Sequence, residues 1–246
     1  MGKLEGRIAL ITGGNSGIGL ATAKLFVDEG AYVFITGRRE LELNAAVQEI
    51  GGNVTGIRGD VAKLGDLDGL FAKIGREKGR LDVVFANAGI TPMTPLGKIT
   101  EEDYDSLFDV NVKGLVFTVQ KALPLMPDGG SIILNASIVA SKGFANWSVY
   151  SATKAAVRSL ARSWTSDLAD RRIRVNALSP GYIDTAPWRT SDVAAMRADI
   201  ETSGTVPLGR FGTADEVAKV ALFLAGGDSS YVTGTELFVD GGVAQI

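Results

Sequence analysis

Short runs of apolar and β-branched residues alternate along this chain with longer stretches in which apolar positions recur at the helical period. The runs Arg7–Thr12, Tyr32–Thr36, Val54–Arg58, Val83–Ala86, Ser131–Asn135, Arg174–Ala177 and Glu236–Val239 predict strands. Ile8-Ala9-Leu10-Ile11 and Val83-Val84-Phe85 are apolar without interruption, as strands buried on both faces require, so a parallel sheet is expected. Helical spacing covers Gly17–Glu29, Arg39–Ile50, Leu64–Lys78, Glu101–Leu125, Ser148–Asp170 and Ala214–Ala225, and in the fifth of these Ala152, Ala156, Leu160 and Ser163 form one small-to-apolar stripe. Successive strand–helix units, with no repeat, low-complexity tract or linker between them, predict one doubly wound α/β domain over residues 1–246, a seven-stranded parallel sheet flanked by helices. The stretch 185–207 breaks the rhythm, with Pro187, Trp188 and Met196 among polar residues and Gly204 and Pro207 closing it. It reads either as a mobile cover over a site at the carboxyl edge of the sheet or as a surface loop with a short helix.

Composition narrows the chemistry. The chain is 46% hydrophobic and 22% charged, an ordinary globular balance. Its net charge of -3, with acids and bases interspersed, offers no basic stripe for a nucleic acid. The apolar run near the start, Ile8 to Ile11, is too short for a signal-peptide core or a membrane span, so no membrane association is expected and a cytoplasmic protein is. There is no Cys and no His. That excludes disulfides, thiolate nucleophiles, a Ser-His-Asp triad and thiolate- or imidazole-bound zinc; no metal site is expected, and any general acid must be Tyr, Lys, Asp or Glu.

The first strand runs directly into Thr12-Gly13-Gly14-Asn15-Ser16-Gly17-Ile18-Gly19, with a helix following at once. Glycines there allow a tight turn and close backbone approach to a pyrophosphate, which the helix N-terminus attracts through its N–H groups and partial positive charge. The spacing is Gly-x-x-x-Gly-x-Gly rather than Gly-x-Gly-x-x-Gly. A NAD site places an acid near the tip of the second strand for the ribose 2′-OH, but here the strand ends Phe34-Ile35-Thr36-Gly37-Arg38-Arg39. Two guanidinium groups suit a 2′-phosphate, so NADP is inferred, with Arg38 the first candidate. Asp60-Val61 after the third strand suits an adenine amino group, although Asp60 reads equally as a cap for the next helix, and Asn87-Ala88-Gly89 after the fourth falls where a ribose would lie.

Ser137 follows the fifth strand, and Tyr150 opens Tyr150-Ser151-Ala152-Thr153-Lys154. At i and i+4 of a helix, Tyr150 and Lys154 face the same space. A carbonyl that accepts hydride develops charge on oxygen and needs a proton donor there. Tyr150 suits that role if Lys154 and an oxidised nicotinamide lower its pKa, with Ser137 holding the substrate oxygen and Lys154 also reaching the cofactor ribose.

These residues together make the whole chain resemble a short-chain dehydrogenase/reductase, a Rossmann-type fold. The resemblance implies that Thr12 to Gly19 is the cofactor loop, Asn87-Ala88-Gly89 a sheet-stabilising motif, and Ser137, Tyr150 and Lys154 the catalytic set. It adds Asn111, in Asp109-Val110-Asn111-Val112, as the residue that holds Lys154 through a water, and Pro180-Gly181 with Ile183 and Thr185 as the segment fixing the nicotinamide carboxamide. Thr233-Gly234 to Asp240-Gly241-Gly242 is similar to the family's last strand and implies a homotetramer. Ala86 departs from the second Asn of many members, and Asn15-Ser16 from the basic residue of some NADP-dependent ones. The runs Gly14 to Lys24 and Asp228-Ser229-Ser230-Tyr231 look like bacterial NADPH-dependent alcohol dehydrogenases that accept bulky hydrophobic ketones, chains often labelled 3-oxoacyl-[acyl-carrier-protein] reductases.

The expected function is therefore reversible transfer of hydride between NADP(H) and a ketone or secondary alcohol. Ile138, Val139, Phe144, Trp147, Tyr182 and Trp188 are candidates for an apolar substrate pocket or, equally, for core packing. Two alternatives stand beside it. Reduction of a 3-oxoacyl thioester would need a basic surface for an acidic carrier protein, for which Arg158, Arg162, Arg171 and Arg172 are available. A NADP-sensing protein without turnover would not need the full set Asn111, Ser137, Tyr150 and Lys154.

Overall fold

In the computed structural model, which describes residues 2–189 and 193–246, seven strands form: β1 (Ile8–Thr12), β2 (Tyr32–Gly37), β3 (Val54–Arg58), β4 (Val83–Ala86), β5 (Ser131–Asn135), β6 (Arg174–Pro180) and β7 (Glu236–Val239). They pair in parallel in the order β3-β2-β1-β4-β5-β6-β7. The order reverses beside β1, so the crevice that such a sheet opens at its carboxyl edge lies between β1 and β4.

The helices are α1 (Gly17–Asp28), α2 (Glu40–Ile50), α3 (Leu64–Lys78), α4 (Glu101–Phe108), α5 (Leu115–Ala122), α6 (Ser148–Asp167), α7 (Ala194–Thr202) and α8 (Ala214–Ala225). Alternation along the central strands divides the core. Leu10, Phe34, Val84 and Ile132 pack with Leu70, Val119 and Val157 from α3, α5 and α6. Ile11, Val33, Phe85 and Ile133 pack with Phe26, Leu43 and Val217 from α1, α2 and α8. Each sheet face is thus covered by helices, which is why Ile8–Ile11 of β1 and the whole of β4, Val83–Ala86, carry no polar residue. Capping boxes start two helices, Thr100 with Asp103 at α4 and Thr213 with Glu216 at α8. Among the described residues no helix is long and apolar enough to cross a membrane.

Three expectations change. The helix expected over Glu101–Leu125 is broken: α4 gives way to a π-helical turn at Asp109–Gly114, then to α5 and a 3-10 turn at Leu123–Leu125. Pro124 accounts for the last change, since it has no N–H to continue the helical ladder. β6 runs three residues beyond Ala177, because Leu178, Ser179 and Pro180 find partners in β7 and Glu236 accepts from the Ser179 hydroxyl at 2.7 Å. In α6 the buried face is Tyr150, Thr153, Lys154, Val157 and Ala161, not the stripe Ala152, Ala156, Leu160 and Ser163, of which Ala152 and Ser163 are exposed. The helix turns its polar, chemistry-bearing side toward the sheet. Within the stretch 185–207, α7 forms, while residues 190–192 lie outside the described residues.

Candidate active site

The glycine turn after β1 is held by geometry that only glycine satisfies. Gly13 has φ of +65°, a left-handed conformation. A Cβ on Gly19 would stand 2.2 Å from the Gly13 carbonyl oxygen, so the start of α1 lies against the turn. Ser16 caps α1 with no side-chain hydrogen bond, and no acid occupies the first turn, which leaves the positive end of that helix facing the crevice.

The carboxyl ends of β1, β4 and β5 are tied by side chains. The Thr12 hydroxyl accepts from the backbone N–H groups of Asn87 and Ala88, both at 3.0 Å. Asn87 Nδ2 donates to the Thr12 carbonyl at 2.9 Å, and Asn87 Oδ1 accepts from Asn135 Nδ2 at 2.9 Å. The Asn135 carbonyl in turn accepts from Lys154 Nζ at 2.6 Å. A continuous chain of contacts therefore links the glycine turn to the lysine of α6. Asn135 Oδ1 is buried on the crevice wall and has no partner among the described residues, an orphaned acceptor that a ligand hydroxyl would satisfy.

A cavity of about 870 Å³ occupies this crevice. Gly13, Asn15, Ser16, Gly17 and Ile18 border it at one end, with Arg38, Arg39 and Val61 beyond the tips of β2 and β3. Asn87, Ala88 and Gly89 form its middle, and Pro180, Gly181, Ile183 and Thr185 line it after β6. Ser137, Tyr150 and Lys154 stand at the other end with Ile138, Val139, Phe144, Trp147, Tyr182 and Trp188. Three candidates are not on the wall. Gly19 packs behind the turn, as its contact with Gly13 requires. Asp60 is drawn back because its carboxylate accepts from the Ala62 N–H at 3.0 Å, closing a local turn; it does not cap α3, whose N-cap is Lys63. Asn111 is buried, with 1% exposure, in hydrogen bonds to Ile90 and Thr153.

The two arginines differ in their commitments. Arg39 Nε is paired with Glu42 at 2.9 Å within α2 and its approach. The exposed Arg38 guanidinium has no carboxylate partner among the described residues, and beside it the tip of β2 presents Gly37, where a Cβ would meet Asn15 Oδ1 at 2.5 Å. The end that would receive an adenosine phosphate thus offers glycine backbone, a helix N-terminus and one uncommitted cation. These features fit the phosphates of a dinucleotide.

Burial sets the protonation of the other end. It pushes the Tyr150 phenol up to about 12, partly opposed by a hydrogen bond with the Ser137 hydroxyl. It pulls Lys154 down to about 8. The sequence argument that Lys154 lowers the tyrosine fails for the protein alone, because loss of hydration around the phenolate is the larger effect and the ammonium lies 5.8 Å from the ring centroid. The phenol therefore keeps its proton at neutral pH.

Aromatic rings wall the space above it. Trp147 meets Tyr150 edge-on at 5.1 Å, Tyr182 meets Trp188 at 5.4 Å and Phe144 at 6.4 Å, and Phe211, absent from the sequence reading, touches Tyr182 at 5.6 Å. From α7, Met196 and Ile200 reach the same cavity. Arg197 fastens that helix: its guanidinium donates to Asp184 at 2.6 Å and lies over the Phe211 ring at 4.7 Å. Sequence reading placed Thr12 in the cofactor loop but not in its tie to β4, and missed Asn135, Thr153, Arg197 and Phe211. Among the missed residues Asn135 carried a signal, as a polar residue directly after the apolar run Ile132-Ile133-Leu134.

Comparison with known proteins agrees with this architecture. The family described as enoyl-(acyl carrier protein) reductase matches residues 13–244. The chain is 49% identical to an oxidoreductase of Sarocladium schorii, over 99% of this chain and 98% of that one. It is 39% identical to a 3-oxoacyl-[acyl-carrier-protein] reductase of Thermotoga maritima, over 98% and 99%. A solved structure of a short-chain type dehydrogenase/reductase from Mycobacterium marinum superposes with a TM-score of 0.91 at 35% identity, covering 98% of this chain and 96% of that one.

Proposed function

The chain belongs to the short-chain dehydrogenase/reductase family of nicotinamide-dependent oxidoreductases, and from that premise we propose that it transfers hydride reversibly between NADP(H) and a ketone or secondary alcohol, reducing bulky hydrophobic ketones. The observation that carries this reading is a buried Tyr150 phenol that shares the wall of an aromatic-lined cavity with Ser137 and Lys154, while the far end of that cavity holds the uncommitted Arg38.

When bound, the reduced nicotinamide supplies hydride to the carbonyl carbon. Tyr150 gives its proton to the oxygen as negative charge develops there, and Ser137 orients that oxygen through its hydroxyl. Lys154, anchored on the Asn135 carbonyl, stands behind the phenol and stabilises the phenolate left after proton transfer. Arg38 takes the 2′-phosphate, the glycine turn and the start of α1 take the pyrophosphate, and Asn135 Oδ1 accepts from a ribose hydroxyl. Trp147, Tyr182 and Trp188 exclude water and match an aryl or branched alkyl group. A homotetramer in the cytoplasm goes with this function, and sedimentation of the purified protein checks the assembly.

The name of the Thermotoga relative favours a second substrate, a 3-oxoacyl thioester on a carrier protein. Of the four arginines that would receive an acidic carrier, Arg158 is tied to Glu236 at 2.5 Å and Arg171 to Asp128 at 3.4 Å, which leaves Arg162 and Arg172 exposed. Free ketones therefore come first. The test follows nicotinamide absorbance with aryl alkyl ketones and a 3-oxoacyl thioester, with NADPH and NADH in parallel. Turnover of the ketones with NADPH, with Arg38→Gln raising KM for NADPH about tenfold and leaving NADH unchanged, supports the reading. Faster turnover of the thioester moves the substrate to the carrier protein, preference for NADH removes Arg38 from its role, and NADPH binding without turnover of any carbonyl makes the protein a sensor.

A further inference from the structure

Thr153 stands between the two residues of α6 that carry the proposed chemistry, three positions after Tyr150 and one before Lys154, and it is wholly buried. Its hydroxyl donates to the Tyr150 carbonyl oxygen at 2.7 Å and accepts from Asn111 Nδ2 at 3.2 Å. Asn111 belongs to the π-helical turn Asp109–Gly114. The rest of its amide is engaged by one residue, with Ile90 N–H donating to Oδ1 at 2.9 Å and Nδ2 donating to the Ile90 carbonyl at 3.0 Å. One hydroxyl therefore closes a link between α6, the π turn and the loop after β4. A π turn spaces its side chains differently from the α-helix on either side, so the direction of Asn111 is fixed by what it bonds to rather than by helix register.

We infer that Thr153 is a positioning residue, whose hydroxyl sets α6, and with it the Tyr150 phenol and Lys154 ammonium, against the π turn and the Asn87–Ile90 loop. The inference rests on the oxidoreductase reading given above. Space is tight where the three elements meet: a Cβ on Gly89 would lie 3.2 Å from Asn111 Oδ1 and 3.6 Å from Lys154 Nζ. A shift of α6 is felt at once by the loop that borders the cofactor end. The hydroxyl is required as an acceptor for Asn111 and not merely as volume, because a carbon of the same shape leaves a buried N–H without a partner.

The experiment compares Thr153→Val, which keeps the shape, with Thr153→Ser, which keeps the hydroxyl. Thr153→Val is expected to lower kcat about ten- to a hundredfold, with a smaller rise in KM for NADPH, and to move the pH at which kcat falls. Thr153→Ser is expected to restore both. A folded Thr153→Val protein with unchanged kcat and pH profile overturns the inference, even if its Tm is lower. Should Thr153→Val not fold, Thr153→Ala takes its place with the same expectations. A second readout needs no turnover: the ring-carbon NMR resonance of Tyr150, assigned by its loss in Tyr150→Phe, shifts in Thr153→Val and returns in Thr153→Ser. Wild-type protein without turnover defeats the proposed function, whereas an unmoved Tyr150 resonance defeats this inference.

Discussion

Tyr150 and Lys154 show how one environment acts oppositely on an acid and a base. Burial disfavours the charged form of each, so the phenol rises to about 12 and the ammonium falls to about 8. The consequence for stability has a defined sign. Because Lys154 is lowered on folding, the native protein binds fewer protons than the unfolded chain between pH 8 and 10.5, and stability rises with pH across that window. Tyr150, raised from 10, contributes stability that is complete below pH 10 and is lost as pH climbs through about 12. Urea unfolding of the cofactor-free protein is expected to show the first step, on the order of 3 kcal/mol, and Lys154→Met to abolish it. For the chemistry, Tyr150→Phe removes the proton donor without altering the arginine end of the cavity. Its kcat is expected to drop at least about a hundredfold while NADPH fluorescence still reports binding.

At the scale of elements, each helix is held at the end that matters for its task. The start of α1 lies so close to the glycine turn that Gly19→Ala would place a methyl 2.2 Å from the Gly13 carbonyl. The turn must open to admit it, so NADPH binding is expected to be lost in a titration while the far-ultraviolet spectrum is kept. α8 is fixed by its capping box, and Thr213→Ala leaves the Glu216 N–H without its acceptor at 3.2 Å. A loss of about 1 kcal/mol in denaturant unfolding is expected, with kcat unchanged, because α8 covers the sheet on the side away from Tyr150.

For the whole molecule, the decisive feature is the reversal of strand order beside β1. It brings the glycine turn, the Asn87 segment and the Ser137 segment to one crevice, although they are far apart in sequence. The two cores that hold the sheet flat against its helices are of fully buried apolar side chains. Phe85 lies in the second of them with no exposure, and Phe85→Ala is expected to cost about 3–5 kcal/mol of global stability by leaving a cavity under β4. Chemical unfolding monitored by tryptophan emission checks this, with a single transition expected if the sheet and its helices unfold together.

The amino-acid sequence by itself determined the strands and their parallel pairing and pointed to the candidate chemistry, because these rest on local pattern. An uninterrupted apolar run such as Ile8 to Ile11 suits only a strand covered on both faces, and Tyr150 with Lys154 at helical spacing shares a face wherever that helix lies. Tertiary structure decided what depends on partners remote in the chain. Ser179 and Pro180 look like turn residues until β7 pairs with them. Asn111 looks like a helix surface residue until a π turn directs it between Ile90 and Thr153. The acidity of Tyr150 follows the same division: neighbours in sequence suggest a lowered pKa, while the hydration lost on burial beside Trp147 outweighs the opposing hydrogen bond of Ser137 and raises it. Burial is a property of the assembled fold, and no spacing of residues along the chain encodes it directly.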